Sequence, residues 1–246
     1  FVVSRVTQNT HAFPGHWTME SIAVALQPYK DTVGLTAAIV TVVQFFSGVL
    51  ALNAIRRQGN TRGFSALPFL GGTVFCLLNI QFGQMLRDDG MIRVNFIGLA
   101  LNLLYVCGFY LYTEGPAKTA VWGQIGLAGA LTAGVLSYVQ YEDPQLVEFR
   151  FGLILTGLLW TLVGMPLLGL GDILKKKSTE GLPFPIIFLG AVVSFAWLLY
   201  GIILRSNFLV VQNLMALALS AVQLSLFIIF PSGAAKPPPT PAKKRN

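Results

Sequence analysis

Seven charge-free runs decide what this 246-residue chain can fold into. They cover residues 32–55, 63–86, 94–113, 119–141, 151–171, 181–204 and 206–235. About 20 apolar residues, rising 1.5 Å each as helix, cross the hydrocarbon core of a bilayer. No water is present there to satisfy backbone N–H and C=O groups, so each run must close its own hydrogen bonds as a helix. The two-residue alternation of a membrane barrel is absent. The fold class is therefore an all-α membrane protein with seven transmembrane helices and the lipid bilayer as its solvent. Composition agrees, since only 11% of residues are charged, against about 25% in soluble domains.

The formal net charge is +7, but its placement excludes nucleic acid as a partner. The basic residues fringe the apolar runs and form no amphipathic basic surface. With seven spans, one side of the membrane receives the loops at 56–62, 114–118 and 172–180 and the C-terminal tail. That side holds eleven lysines and arginines against six on the other, and seven against four when the terminal segments are set aside. The positive-inside rule then places the C-terminus in the cytoplasm and the N-terminus outside.

Residues 1–31 read as an extracellular or lumenal arm, poorly ordered and carrying at most a short interfacial helix. They lack the pattern of a secretory signal, and Met19 is a candidate natural start. Residues 232–246, rich in proline and lysine, read as a disordered cytoplasmic tail. Cys76 and Cys107 both fall inside apolar runs and are expected as free thiols.

The chain also repeats itself. "LPFLGGTVFCLLNIQFG" (67–83) aligns with "LPFPIIFLGAVVSFAWLLYG" (182–201), both opening Leu-Pro-Phe and both closing on an aromatic followed by glycine. Thirteen residues past each aromatic stands an asparagine, Asn95 or Asn213. The offset is 115 at the Leu-Pro-Phe triplet and 118 afterwards. Residues 32–113 thus form a first three-helix repeat and 149–231 a second, with 119–141 as a linker helix. Both repeats cross in the same direction, giving a 3+1+3 parallel arrangement with a central pathway, as in transporters.

These residues resemble the SWEET sugar transporters (MtN3/saliva), in particular their animal branch. The resemblance runs from about Thr36 to Pro231 and is strongest over 89–112 and 175–213. It implies a facilitative, bidirectional uniporter moving mono- or disaccharides by alternating access, at the plasma membrane or the Golgi. It also implies a homo-oligomer as an admissible assembly, although no residue here sets its number. The family's four hinge prolines match at Pro68, Pro166 and Pro183, whereas the fourth position is Gly48. Glycine keeps its N–H, so a softer bend is expected in the first span.

The same resemblance assigns Asn95 and Asn213 to the substrate site. Amides both donate and accept, as sugar hydroxyls require; an interhelical hydrogen bond is the plainer role for each. Trp197 matches the pocket aromatic, and its repeat partner is Asn79, where many animal relatives carry tryptophan. Asn79 therefore leaves a smaller, more polar wall. Some plant members close an outer gate with a tyrosine–aspartate pair at positions that here read Phe82 and Ser206. The exchanged pair, Tyr200 and Asp88, occupies the repeat-equivalent positions and is expected to replace it, a solvated loop carboxylate being the alternative for Asp88.

No charged side chain lies mid-span, which points to uncoupled transport, because intramembrane carboxylates are the usual proton or sodium relays. Other readings fit less well. A seven-helix receptor would share the topology, but the parallel repeat, the short loops and the lack of Asn-Pro-x-x-Tyr in the last span oppose it. A PQ-loop carrier for another solute would place Pro-Gln in a helix, whereas the only such pair, Pro144-Gln145, falls in a loop. An enzyme is not indicated. The only histidines are His11 and His16, and no triad, phosphate loop, metal cluster or cofactor motif is present.

Overall fold

The computed structural model describes residues 19–164, 179 and 184–230. Nine α-helices occur among them: α1 Met19–Leu26, α2 Lys30–Phe45, α3 Ser47–Gln58, α4 Leu67–Met85, α5 Asp89–Leu111, α6 Ala117–Tyr141, α7 Val147–Gly164, α8 Phe184–Ile203 and α9 Asn207–Ile229. A 3-10 turn, Gln27–Tyr29, joins α1 to α2. The first candidate span thus lies in a helical run, Met19–Gln58, interrupted by the 3-10 turn and again at Phe46. Helix begins inside the segment expected as an arm. Gln27 donates to the Ile203 carbonyl at 2.9 Å and Glu20 pairs with Arg205 at 3.1 Å, which pin that start to the end of α8.

Among the described residues, five segments are long and apolar enough to cross a membrane: Met19–Gln58, α5, α6, α8 and α9. The other two of the seven are α4 and α7. Asn79, Gln81 and Gln84 lie on α4, while α7 opens with Glu148 and Arg150 and is described only to Gly164.

The repeat is visible as geometry. The α4–α5 and α8–α9 connections make the same turn, with Arg87 and Arg205 in the left-handed region at φ 53° and 55°. Asp88 N donates to the Gly83 carbonyl at 2.9 Å, and Ser206 N donates to the Gly201 carbonyl at 3.0 Å. Each turn ends on a side-chain N-cap: Asp88 accepts from Met91 N and Ser206 from Leu209 N, supplying an acceptor for one of the orphan N–H groups of the first turn. The aromatic-glycine pairs have a reason too. A Cβ on Gly83 would lie 2.9 Å from Ile92, and one on Gly201 would lie 2.8 Å from Leu209. Glycine lets the second and third helices of each repeat approach this closely.

The halves interlock across the repeat boundary: α2 packs on α8, and α7 packs on α4. Two apolar clusters fill the ends. Ile55, Phe69, Tyr105, Phe109 and Val121 gather at the end bearing Arg56, Arg57, Arg62 and Lys118, called here the basic end. Phe82, Met91, Phe151, Leu155 and Leu209 gather at the Asp88 end. Leu104, Leu111, Trp122, Leu127 and Ile228 remain exposed on the outside, as a lipid-facing surface requires.

Candidate functional site

A cavity of about 600 Å³ lies between the two repeats, walled by α2, α4, α5, α7, α8 and α9. Its size suits a small molecule, for which pockets run from about 300 to 1,000 Å³. All four residues assigned to the substrate site line it: Asn79, Asn95, Trp197 and Asn213. Each asparagine donates its amide to the carbonyl one turn back on its own helix. Asn79 donates to Phe75, Asn95 to Met91 and Asn213 to Leu209, all at 2.8 Å. Among the described residues, neither Asn95 nor Asn213 bonds to another helix. That local bond leaves the side-chain carbonyl and the second N–H of each amide for the cavity.

Trp197 is fixed differently. Its indole N–H donates to Thr41 Oγ1 on α2 at 2.8 Å, while Thr41 donates its own proton to the Ala37 carbonyl at 2.7 Å. The direction of both bonds is therefore settled, and the ring is tethered across the repeat boundary. On the other side of the pseudo-symmetry, Asn79 makes no such tether to α7 among the described residues. The α7 hydroxyl that is available, Thr156, accepts instead from Gln212 on α9 at 2.8 Å.

Thr41, Gln44, Gln212 and Gln223 join the lining and were not singled out from the sequence. One signal was present: Asn213, Ala216, Ser220 and Gln223 recur at the three-to-four spacing of one helical face. For Thr41 and Gln212 the sequence offers no such pattern. No ionisable side chain lines the cavity among the described residues.

Beyond the cavity, at the Asp88 end, the Tyr200 hydroxyl donates to Asp88 Oδ2 at 2.5 Å. Tyr200, on α8, packs against α2, where a Cβ on Gly34 would be 2.8 Å from its ring, and it meets Trp197 edge-on at 5.6 Å. Phe82, its repeat partner, is fully buried between Phe151 and Phe208. The lining reaches toward the opposite end through Pro68 and Ile186, in the first turns of α4 and α8.

The hinge positions divide into described and undescribed. Pro166 and Pro183 lie outside the described residues. Pro68 occupies the first turn of α4, where proline displaces no helical hydrogen bond, so it marks a helix start and does not kink a continuous helix. Gly48 lies in the first turn of α3, two residues past Phe46, where helical hydrogen bonding is interrupted between α2 and α3 while Phe46 keeps right-handed torsions (φ −65°, ψ −12°).

Residues 31–117 and 149–235 match the sequence profile of MtN3, described as a sugar efflux transporter for intercellular exchange. The two matched segments fall on the two repeats. The chain belongs to the MtN3/SWEET family. It is 31% identical over 207 residues to sugar transporter SWEET1 of Drosophila pseudoobscura pseudoobscura, covering 82% of this chain and 89% of that one. It is 31% identical to sugar transporter SWEET1 of Caenorhabditis elegans, covering 84% and 67%. It is 27% identical to bidirectional sugar transporter SWEET2b of rice (Oryza sativa subsp. indica), covering 80% and 88%. The fold is similar to the 3.7 Å structure of a eukaryotic SWEET transporter, with a TM-score of 0.76, 26% identity, and coverage of 84% and 98%. As a member of the MtN3/SWEET family, the chain is a membrane transporter and not an enzyme.

Proposed function

We propose that this MtN3/SWEET protein is a facilitative, bidirectional uniporter for a small neutral sugar. The observation that carries this reading is the uncharged cavity between the repeats, furnished with asparagine amides and one tethered tryptophan. Amides complement sugar hydroxyls, and an indole face complements the apolar face of a pyranose. The names of the relatives, sugar transporter and bidirectional sugar transporter, support the substrate class. The absence of ionisable side chains from the described lining supports uncoupled, downhill movement.

In this reading Asn95 and Asn213 bind the substrate from opposite repeats, Trp197 packs on one face, and Asn79 forms the roomier wall. Tyr200 and Asp88, with Phe82 packed behind, close the outer end. Gly48, Pro166 and Pro183, with Pro68 at the junction that starts α4, form the hinges of the cytoplasmic end. The basic end faces the cytoplasm, the Asp88 end faces outside or the lumen, and the membrane is the plasma membrane or Golgi.

Flux of labelled glucose, fructose, sucrose and trehalose into proteoliposomes tests the proposal. Downhill equilibration in both directions is expected, unaffected by imposed proton or sodium gradients. Asn95→Ala and Asn213→Ala should each raise KM by about 10-fold, the loss of one or two hydrogen bonds. Concentrative uptake driven by either gradient overturns the uniport. Undiminished flux in both variants overturns the site.

A further inference from the structure

The break in the first span has a cause that is not a proline. In an unbroken helix the Phe45 carbonyl would accept from Val49 N. Here Val49 N donates to the Phe46 carbonyl at 3.0 Å, a bond one residue short. The Phe45 carbonyl loses its helical partner, and an orphaned carbonyl in a membrane interior is costly. The hydroxyl of Tyr105, on α5, donates to that oxygen at 3.0 Å. The Tyr105 side chain is 4% exposed, with its ring 5.5 Å from that of Phe69. Its other contact is Gly48, where a Cβ would fall 2.4 Å from the ring carbons. Only glycine at 48 admits the tyrosine close enough to reach Phe45.

The same helix grips Phe45 twice. A Cβ on Gly98 would lie 2.4 Å from the Phe45 ring, so that ring seats on α5 as the carbonyl is held from the next turns. Phe45 also lines the cavity. Along α5, the sequence Asn95, Gly98 and Tyr105 therefore links a cavity amide to the break in α2–α3.

We propose that Tyr105 is the positioning residue of the first-span hinge, latching the α2–α3 break by its hydrogen bond to the Phe45 carbonyl. A proline makes a kink by deleting a donor and clashing with the preceding turn; Tyr105 makes one by supplying the released acceptor with a new donor. Forming or releasing the latch sets whether α3 bends away from α2 or continues it, and so sets the balance between the two access states. This rests on the alternating-access reading above, and its test includes a readout independent of sugar.

The variants are Tyr105→Phe, which removes only the hydroxyl, and Gly48→Pro in a Tyr105→Ala background. The second pair clears the ring and restores a kink by proline. Turnover and KM are measured in proteoliposomes. Hinge state is measured as the rate at which an impermeant maleimide labels Ser194→Cys, in the cavity wall, with Cys76 and Cys107 changed to serine. Loss of one hydrogen bond to the kinked state predicts about a 5-fold shift in labelling rate and turnover, with KM changed less than about 2-fold. Gly48→Pro should return Tyr105→Ala to within about 2-fold of wild type. Unchanged labelling in Tyr105→Phe, or no rescue by proline in a protein that still elutes as a single folded species, overturns the proposal. If the wild type carries no sugar, the uniport reading fails and the labelling rates alone decide the latch.

Discussion

The Asp88 carboxylate serves two helices at once: Oδ2 accepts from the Tyr200 hydroxyl at 2.5 Å, and Oδ1 accepts from Met91 N at 2.7 Å. The first bond joins residues 112 positions apart and ties α5 to α8; the second caps α5. At the repeat-equivalent position, Ser206 performs the cap alone. That comparison supplies a variant that separates the roles. Asp88→Ser should keep the cap, because serine caps about as well as aspartate, yet be too short to reach Tyr200. Its melting temperature should stay near wild type while labelling of a cavity cysteine from the Asp88 side rises, as it should in Tyr200→Phe. Asp88→Ala should show the same accessibility and a further loss of about 1 kcal/mol. If the serine and alanine variants melt alike, or if accessibility moves in neither, the division of labour is wrong.

The cavity walls are unequal, and selectivity should follow the inequality. Trp197 is held by Thr41, whereas among the described residues the equivalent Asn79 bonds only within its own helix. Asn79→Trp restores the symmetric residue type and removes space on that side. Disaccharide flux should fall at least about 10-fold while glucose flux changes less than about 3-fold, since a pocket rejects what no longer fits far more strongly than what still does. Equal losses for both sugars would count against Asn79 as the roomier wall.

Much of this was legible in the sequence because it depends on hydropathy and internal comparison. The seven runs give the helices, and the offset of 118 makes Asp88 and Tyr200 the repeat partners of Ser206 and Phe82. Their meeting follows from the symmetry of the repeat. The Thr41–Trp197, Thr156–Gln212 and Phe45–Tyr105 bonds were not legible. Each depends on how a helix is rotated about its axis, and a helix apolar nearly all round carries no stripe to fix that rotation. The break at Phe46 was hidden for a related reason: glycine marks where a bend is permitted, while the residue that enforces it sits 60 positions from the carbonyl it holds.

The two matching turns carry strain that one of them can shed. Arg87 and Arg205 both adopt positive φ, a conformation costing a residue with a Cβ about 1–2 kcal/mol. Arg205 is also paired with Glu20, so Arg87 is the cleaner test. Arg87→Gly should be neutral or stabilising by up to about 1 kcal/mol, the relief exceeding the extra chain entropy of glycine. Arg93→Gly, at an exposed position of α5, should instead destabilise by about 1 kcal/mol. Thermal unfolding in one detergent compares them, and a destabilised Arg87→Gly would contradict the turn geometry.

The loop joining the linker helix α6 to the second repeat has a pH-dependent clasp. Glu142 follows α6 and accepts from the Tyr138 hydroxyl, from Asp143 N at 3.0 Å and from Arg150 Nη1 at 2.6 Å. The Tyr138 bond first, then the Asp143 and Arg150 bonds, hold its carboxyl down at about 2, from an ordinary 4.5. A carboxylate depressed on folding adds stability that is complete above its ordinary value and vanishes as pH falls through the folded value. The melting-temperature gap between wild type and Glu142→Gln should therefore be constant from neutral pH down to about 5. It should narrow steadily below that and close near the folded value. The difference between Glu142→Gln and the double variant Arg150→Gln, Glu142→Gln should be insensitive to pH, since neither retains the Glu142 carboxylate. A gap that widens on acidification would show that Glu142 is not stabilised as the anion.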